Sequence, residues 1–380
     1  MRILVISDLP QFVTGGAEMQ ASRLIEAWAD QGHEVICLGR RMSATQVRLG
    51  RHLIPTKRIW TLQWLGRPGR AVSYVASLIW HLLALRKWPD VIYSRFLGDA
   101  AATVAIAKAF GLLDVPLVPT PANAGPSGDI SYLKSIPGSR ILISLLDEQC
   151  DSINLIAPAM QADLRAAGFT KAPLTTIPNG VPLLKWDKLP QTGPLRALCV
   201  GRLAEQKGYD VLIEALGMLP AEAHSSIRVE IVGGGPLESM LRSSARKLPE
   251  GLLTFAGELP PAQVKKKMDD ADIFLLPSRY EGMSNAGLEA WERGLPLLLT
   301  RCGGLDAYVT ERTGWVVEPG NPKALAAALV QALATERSNL EAMGRACRSM
   351  VEGRFSMTAI AGRYAQLFEG LVHARRNRHT

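Results

Sequence analysis

The sequence predicts an α/β protein of two doubly wound, parallel-sheet domains, and three observations lead there. Its 380 residues, 47% of them hydrophobic, exceed one ordinary domain and suit two separate cores. Short apolar runs bounded by turn residues alternate with stretches of helical spacing in both halves, the pattern of strand–crossover–strand units. One such unit is complete between Asp272 and Thr300, DIFLLPSRYEGMSNAGLEAWERGLPLLLT. Its apolar runs, to Leu276 before Pro277 and from Leu295 to Leu299, read as strands. Between them Ser284 is an N-cap, Asn285 to Arg293 carry helix formers, and Gly294 stands where a left-handed C-terminal residue is wanted.

In the first half, Arg2 to Ile6 reads as a strand, and Gly15-Gly16 after Thr14 opens a helix to about Gln31. Strand Glu34 to Leu38 follows. Arg40 to Leu65 lacks periodicity and is expected to be irregular, whereas Val72 to Leu85 has helical spacing. Asp90–Tyr93, Leu117–Pro119, Ser152–Ile156 and Leu174–Ile177 read as further strands, with helices at Asp99–Phe110 and Ala159–Ala167. Pro119 to Ser131 is a Gly/Pro-rich loop whose polar groups are Asn123, Ser127 and Asp129. Ile177-Pro178-Asn179-Gly180-Val181 closes the half, and a Pro-rich linker follows. The expected domains are 1–180 and 181–356.

The second half repeats the grammar: strand 196–200, helix 208–218, strand 228–232, helix 236–247, strand 252–255, helix 261–268, and the unit already described. Past Gly320 come helices at 322–334 and 336–351, then a last amphipathic helix from about 357. Loops at the carboxyl ends of these strands share one rim. There the amides of Gly282, Met283 and Ser284 point out of the positive end of a helix, which makes an anion site. Glu281 and Glu289 flank it and would repel phosphate unless they face hydroxyls, so the combination suits a sugar nucleotide. Arg202 and Lys207, five residues apart around a turn, can bracket a diphosphate from two sides. Gly233-Gly234-Gly235 is weaker, because tight-turn geometry alone explains it.

The pair Glu281 and Glu289 inside PSRYEGMSNAGLEA, with GRLAEQKG at Gly201–Gly208 and GGAE at Gly15–Glu18, resembles the signature of family 4 retaining glycosyltransferases. The resemblance implies a GT-B fold of two Rossmann-like domains facing across a cleft, with the terminal helix 357–380 packed back on the first. It implies transfer of a sugar, with retention, from a nucleoside-diphosphate donor, a UDP-sugar in the first instance. In its terms Glu281 meets donor hydroxyls, Arg202 and Lys207 clamp the diphosphate, and Glu289 holds the ribose. The backbone around Leu259, in the loop Phe255–Leu259, meets the base, and Gly15 and Gly16 face donor phosphates and acceptor. Many members carry a histidine near residues 119–131; this chain has none between His81 and His224. A catalytically impaired sugar-nucleotide-binding protein therefore stays open as an alternative, and the shared architecture leaves open a GT-B epimerase or phosphorylase.

Asp270 and Asp272 match the Asp-x-Asp that holds a metal in another transferase fold, but they enter a strand whose far end carries Glu281. The expectation is transfer without metal or cofactor, with front-face departure and attack and the leaving phosphate as base. The acceptor stands open among saccharide, lipid-linked and small-molecule classes, in polysaccharide or glycoconjugate biosynthesis. The five cysteines show no pairing or metal spacing. A net charge of +8 is concentrated in Arg40–Arg70 and Arg375–Arg378, with Trp60, Trp64 and Leu65 interleaved and no nucleic-acid-binding motif. That distribution suggests contact with a membrane surface, and a solvated basic face accounts for it equally. With no apolar run near 20 residues and no leader-like segment, the expected location is cytoplasmic.

Overall fold

The computed structural model describes residues 1–13, 15–122, 128–186 and 192–377, without the side chain of Leu65. Thr14, Asn123, Ser127, residues 187–191 of the Pro-rich linker and Arg378, all singled out above, lie outside the described residues. The chain divides into two compact units, Met1–Pro182 with Met357–Thr380, and Leu183–Ser356.

The first unit holds β1 (Arg2–Ile6), β2 (Glu34–Gly39), β3 (Gln46–Leu49), β4 (His52–Arg58), β5 (Val91–Ser94) and β6 (Leu117–Pro119), ordered 3-4-2-1-5-6. β7 (Ile153–Leu155) and β8 (Leu174–Thr176) pair separately, in parallel. β1 is central, with Ile3 opposite Val35 on one side and Val91 on the other, and its residues Ile3 to Ile6 are all buried. A central parallel strand is covered on both faces, so it reads as a continuous apolar run. The helix Gly16–Asp30 turns Ala21, Leu24, Ile25 and Trp28 inward, the spacing of one helical face. Trp28 donates to the Ala361 carbonyl at 3.2 Å and meets Tyr93 and Tyr364 edge-on, with centroids 5.3 and 5.8 Å apart. The helix Met357–Arg376 thus belongs to this core through Ile360, Ala361, Tyr364 and Phe368.

Three expectations for this unit need correction. Arg40–Leu65 is not irregular: β3 and β4 form an antiparallel hairpin, with Leu49 opposite His52. Val47, Leu49, Ile54 and Thr56 alternate inward, but Pro55 and the charged outward positions hide the pattern. The next helix begins at Gly66, ahead of Val72, and runs to Ala84. The loop from Pro119 ends before Ser131, because helices occupy Asp129–Ser135 and Ser139–Gln149. The second buries Ile143, Leu146 and Asp147, too short a stripe to stand out in sequence.

The second unit is a six-stranded sheet of β9 (Leu195–Val200), β10 (Ile227–Val232), β11 (Leu253–Gly257), β12 (Ile273–Leu276), β13 (Leu297–Thr300) and β14 (Gly314–Val317). The order is 11-10-9-12-13-14 and every pair is parallel. Winding therefore reverses between β9 and β12, the place where such sheets bind ligands. β14 is an addition to the sequence reading, a short edge strand with only Gly314 fully buried. The helix Asn285–Glu292 follows β12. Its Ser284 hydroxyl accepts from the Gly287 amide at 3.2 Å, and Gly294 has φ +67°, so both signals act as the sequence predicts. Glu292 anchors its far end in a buried pair with Arg348 at 2.6 Å and accepts from the Leu184 amide at 2.8 Å. Breaking such a pair by removing one partner typically costs about 3–5 kcal/mol.

Candidate active site

β9 runs out into the loop Gly201–Gly208 and β12 into Pro277–Ser284, and because those strands are neighbours the loops touch. The Arg279 amide donates to the Gln206 carbonyl at 2.8 Å, and the Gln206 side-chain amide to the Tyr280 carbonyl at 3.1 Å. Arg279 also grips both Asp210 oxygens, at 2.8 and 2.6 Å, and the Glu205 carbonyl at 2.9 Å. The guanidinium's hydrogen bonds hold the Asp210 carboxyl below its ordinary range, against the opposing effect of burial. Gly208 allows this contact: its φ is +62°, and a Cβ there would lie 2.0 Å from the Pro277 carbonyl oxygen. Beneath the first loop lies Gly233, where a Cβ would stand 2.1 Å from the Gly201 oxygen, so the triple glycine is a packing device.

Within this frame the Lys207 ammonium pairs with the Glu281 carboxylate, the two side chains being 19% and 15% exposed. Ser278 donates its hydroxyl to the same Glu281 oxygen at 3.2 Å. The Ser278 carbonyl is itself fixed by the Thr300 hydroxyl and, at 3.0 Å, by the Cys302 thiol. Arg202 is exposed and enters no ion pair among the described residues. Gly282, Met283 and Ser284 are buried at the start of the helix, whose first-turn amides have no intrahelical acceptors. Glu289, on the second turn, and Leu259, just past β11, are half-buried at the same carboxyl edge and stand outside the Lys207–Glu281 pair. The structure thus joins Lys207 and Glu281 directly, and it adds Ser278, Gln206, Arg279 and Asp210, which the sequence reading passed over. Asp210 and Arg279 are 69 residues apart, so only the sheet order could have paired them.

Asp272 lies at the opposite edge of the sheet. It accepts from the Arg196 amide at 2.7 Å and pairs with Arg337 at 2.6 Å. Among the described residues no group of three or more His, Cys, Asp or Glu is placed to hold a metal. Cys37, Cys150, Cys199 and Cys347 are buried free thiols, and burial pushes the half-buried Cys302 thiol up to about 11.

In the first unit Gly15 precedes the helix Gly16–Asp30, and a Cβ on it would strike the Glu18 carboxylate. Glu18 lines a cavity of about 500 Å³ at the carboxyl ends of β1, β2 and β5, together with Asp8, Arg40, Tyr74, Asp99 and Tyr132. Tyr132 donates to Asp99 at 2.7 Å; burial, then that hydrogen bond, pushes its hydroxyl up to about 12, so it stays a proton donor. Asp129 is a backbone clamp whose carboxylate accepts from the Leu97 and Ala122 amides at 3.1 and 2.9 Å.

Two family models match the chain, "Glycosyltransferase Family 4" over residues 14–184 and "Glycosyl transferases group 1" over residues 194–335. A glycogen synthase of Mycobacterium tuberculosis is 30% identical, covering 97% of this chain and 94% of its own. The putative colanic acid biosynthesis glycosyltransferase WcaL of Escherichia coli is 28% identical over 87% of this chain and 82% of its own. Among solved structures, HepE of Anabaena in complex with UDP and glucose superposes with a TM-score of 0.76 at 19% identity, covering 97% of this chain and 99% of that one. With both sheets, their order and both family models in agreement, the chain belongs to the family 4 glycosyltransferases and has the GT-B fold.

Proposed function

We propose that this glycosyltransferase moves a hexosyl group from a nucleoside-diphosphate sugar, a UDP-sugar, to a saccharide, lipid-linked or small-molecule acceptor, with retention and without metal. The observation that carries the reading is the Lys207–Glu281 pair at the switch point of the second unit, in a loop that also carries Arg202, which enters no ion pair among the described residues. An arriving diphosphate offers Lys207 a second anionic partner and Arg202 its first, while Glu281 turns to the donor hydroxyls. Positive groups fixed beside the leaving diphosphate stabilise the charge that develops as the glycosidic bond breaks. Glu281 already holds Lys207 and Ser278, which suits hydroxyl binding better than nucleophilic attack. The acceptor oxygen then attacks the anomeric carbon on the face the diphosphate leaves, and its proton passes to the departing phosphate oxygen. Glu289 serves the ribose and the backbone near Leu259 the base. Asp272 is committed to Arg196 and Arg337, which supports a site that works without a divalent ion. The relatives named for glycogen and colanic acid synthesis support a role in polysaccharide or glycoconjugate assembly, and the UDP in the HepE complex supports the donor class.

The test is a panel of nucleotide sugars read by release of nucleoside diphosphate, with the anomeric configuration of the product read by NMR. Turnover of a UDP-sugar with retained configuration is the expected result. An inverted product removes the front-face route, and tight binding of the whole panel without turnover marks a sugar-nucleotide-binding protein.

A further inference from the structure

Beside the 500 Å³ cavity of the first unit lies a second one, of about 410 Å³, lined by Arg40, Arg41, Arg58 and Arg70 with Ser43 and Thr61. Among the described residues no aspartate or glutamate lines it. The four arginines come from separate places: Arg40 and Arg41 follow β2, Arg58 ends β4, and Arg70 sits near the start of the helix Gly66–Ala84. None of their side chains enters an ion pair among the described residues. Four like charges around one space repel each other, and the carboxylates of Asp8, Glu18 and Asp99 line the neighbouring cavity with Arg40 and Arg41. Arg70 is also at the wrong end of its helix, whose first turn holds no acidic residue and whose dipole disfavours a cation there. All four arginines are exposed and open to an incoming ligand, and guanidinium forks match phosphate oxygens two at a time.

Arg40 and Arg41 line both cavities. The larger one is rich in hydroxyl-binding groups, Asp8, Glu18, Asp99 and Tyr132, so the two together form a sugar-and-anion surface. We infer that the arginine-lined chamber binds a phosphate or pyrophosphate group carried by the acceptor next to the sugar that is extended. This rests on the transferase reading, with the first unit as acceptor side. The phosphate has two sources, a lipid carrier or a soluble phosphorylated saccharide. In the chain between Arg58 and Arg70, Trp60 is 45% exposed and Trp64 80% exposed, so apolar surface suited to a lipid accompanies the chamber.

The experiment titrates inorganic pyrophosphate calorimetrically into protein saturated with UDP, which occupies the diphosphate clamp at Arg202 and Lys207. Wild type is expected to bind, and the double variant Arg58→Gln/Arg70→Gln to bind at least tenfold more weakly, with unchanged UDP affinity and melting temperature. Equal pyrophosphate binding in the two proteins overturns the chamber. Absence of UDP binding in wild type overturns the donor reading instead, so the two failures are distinct. Flotation with phosphatidylcholine vesicles, with and without phosphatidylglycerol, separates the sources. Binding to the anionic vesicles that is lost in both the double variant and Trp64→Ser assigns the lipid, and pyrophosphate binding without flotation assigns the soluble source.

Discussion

Replacing Lys207 by Met should separate what the Lys207–Glu281 pair does for the fold from what it does for chemistry. Both side chains are mostly buried, 19% and 15% exposed, so the substitution strands a carboxylate whose remaining partner is the Ser278 hydroxyl. Breaking a buried pair from one side costs about 3–5 kcal/mol. With Ser278 retained and some water at hand, the lower end applies, about 3 kcal/mol. For a unit of this size that is about 6–12 °C in Tm, at about 2–4 °C per kcal/mol. The double variant Lys207→Met/Glu281→Gln removes both charges and should recover most of the loss, leaving a coupling of about 2 kcal/mol between the sites. Neither variant should regain turnover, because removing one positioned charge from a developing anion costs about a hundredfold or more. Thermal unfolding measures the first effect, and release of nucleoside diphosphate from the donor measures the second. A loss under about 1 kcal/mol in the single variant, or a double variant no more stable than the single, would refute the buried pair as the loop's organiser.

Other outcomes follow from the same geometry. Gly208→Ala drives a methyl to within 2.0 Å of the Pro277 oxygen at a left-handed φ, so it should separate the two loops and abolish UDP binding while leaving the first unit folded; normal UDP affinity would show that the contact is dispensable. Glu289→Gln should raise the donor KM, since a ribose contact is equal in ground and transition states, whereas Glu281→Gln should lower kcat; identical patterns would end that division. Transfer should survive excess EDTA, and complete loss restored by Mg²⁺ would mean that a metal site has been overlooked. Arg279 depresses the Asp210 carboxyl, so the pair's contribution is complete above the ordinary carboxylate range and disappears as pH falls through the lower folded value. The stability difference between wild type and Asp210→Asn should therefore shrink below about pH 4, and a constant difference down to about pH 2 would contradict it.

The unit Asp272–Thr300 was legible because its signals are local: Pro277 closes a strand, Ser284 caps a helix and Gly294 ends it within a few residues of one another. Lys207 and Glu281 were each legible as candidates, but their bond was not, since the partners lie 74 residues apart and meet only through the order β9–β12. The same holds for Arg279 with Asp210, whose pairing depends on a neighbour relation that periodicity does not encode. In the first unit the hairpin β3–β4 went unread because its inward alternation is interrupted by Pro55 and outnumbered by charges. Arg58 at its end gathers with Arg40, Arg41 and Arg70 around the arginine chamber, so the least periodic stretch of the sequence lines one of the more distinctive surfaces of the first unit.

The central claim, that the donor diphosphate is held by Arg202 and Lys207 at the switch point of the second unit, is tested most directly by calorimetric titration of UDP into wild type, Arg202→Ala and Glu230→Ala. Glu230 lies within β10 and pairs with Lys267, away from the two loops. UDP should bind wild type and Glu230→Ala alike and Arg202→Ala at least tenfold more weakly. Equal affinity in all three proteins would contradict the site.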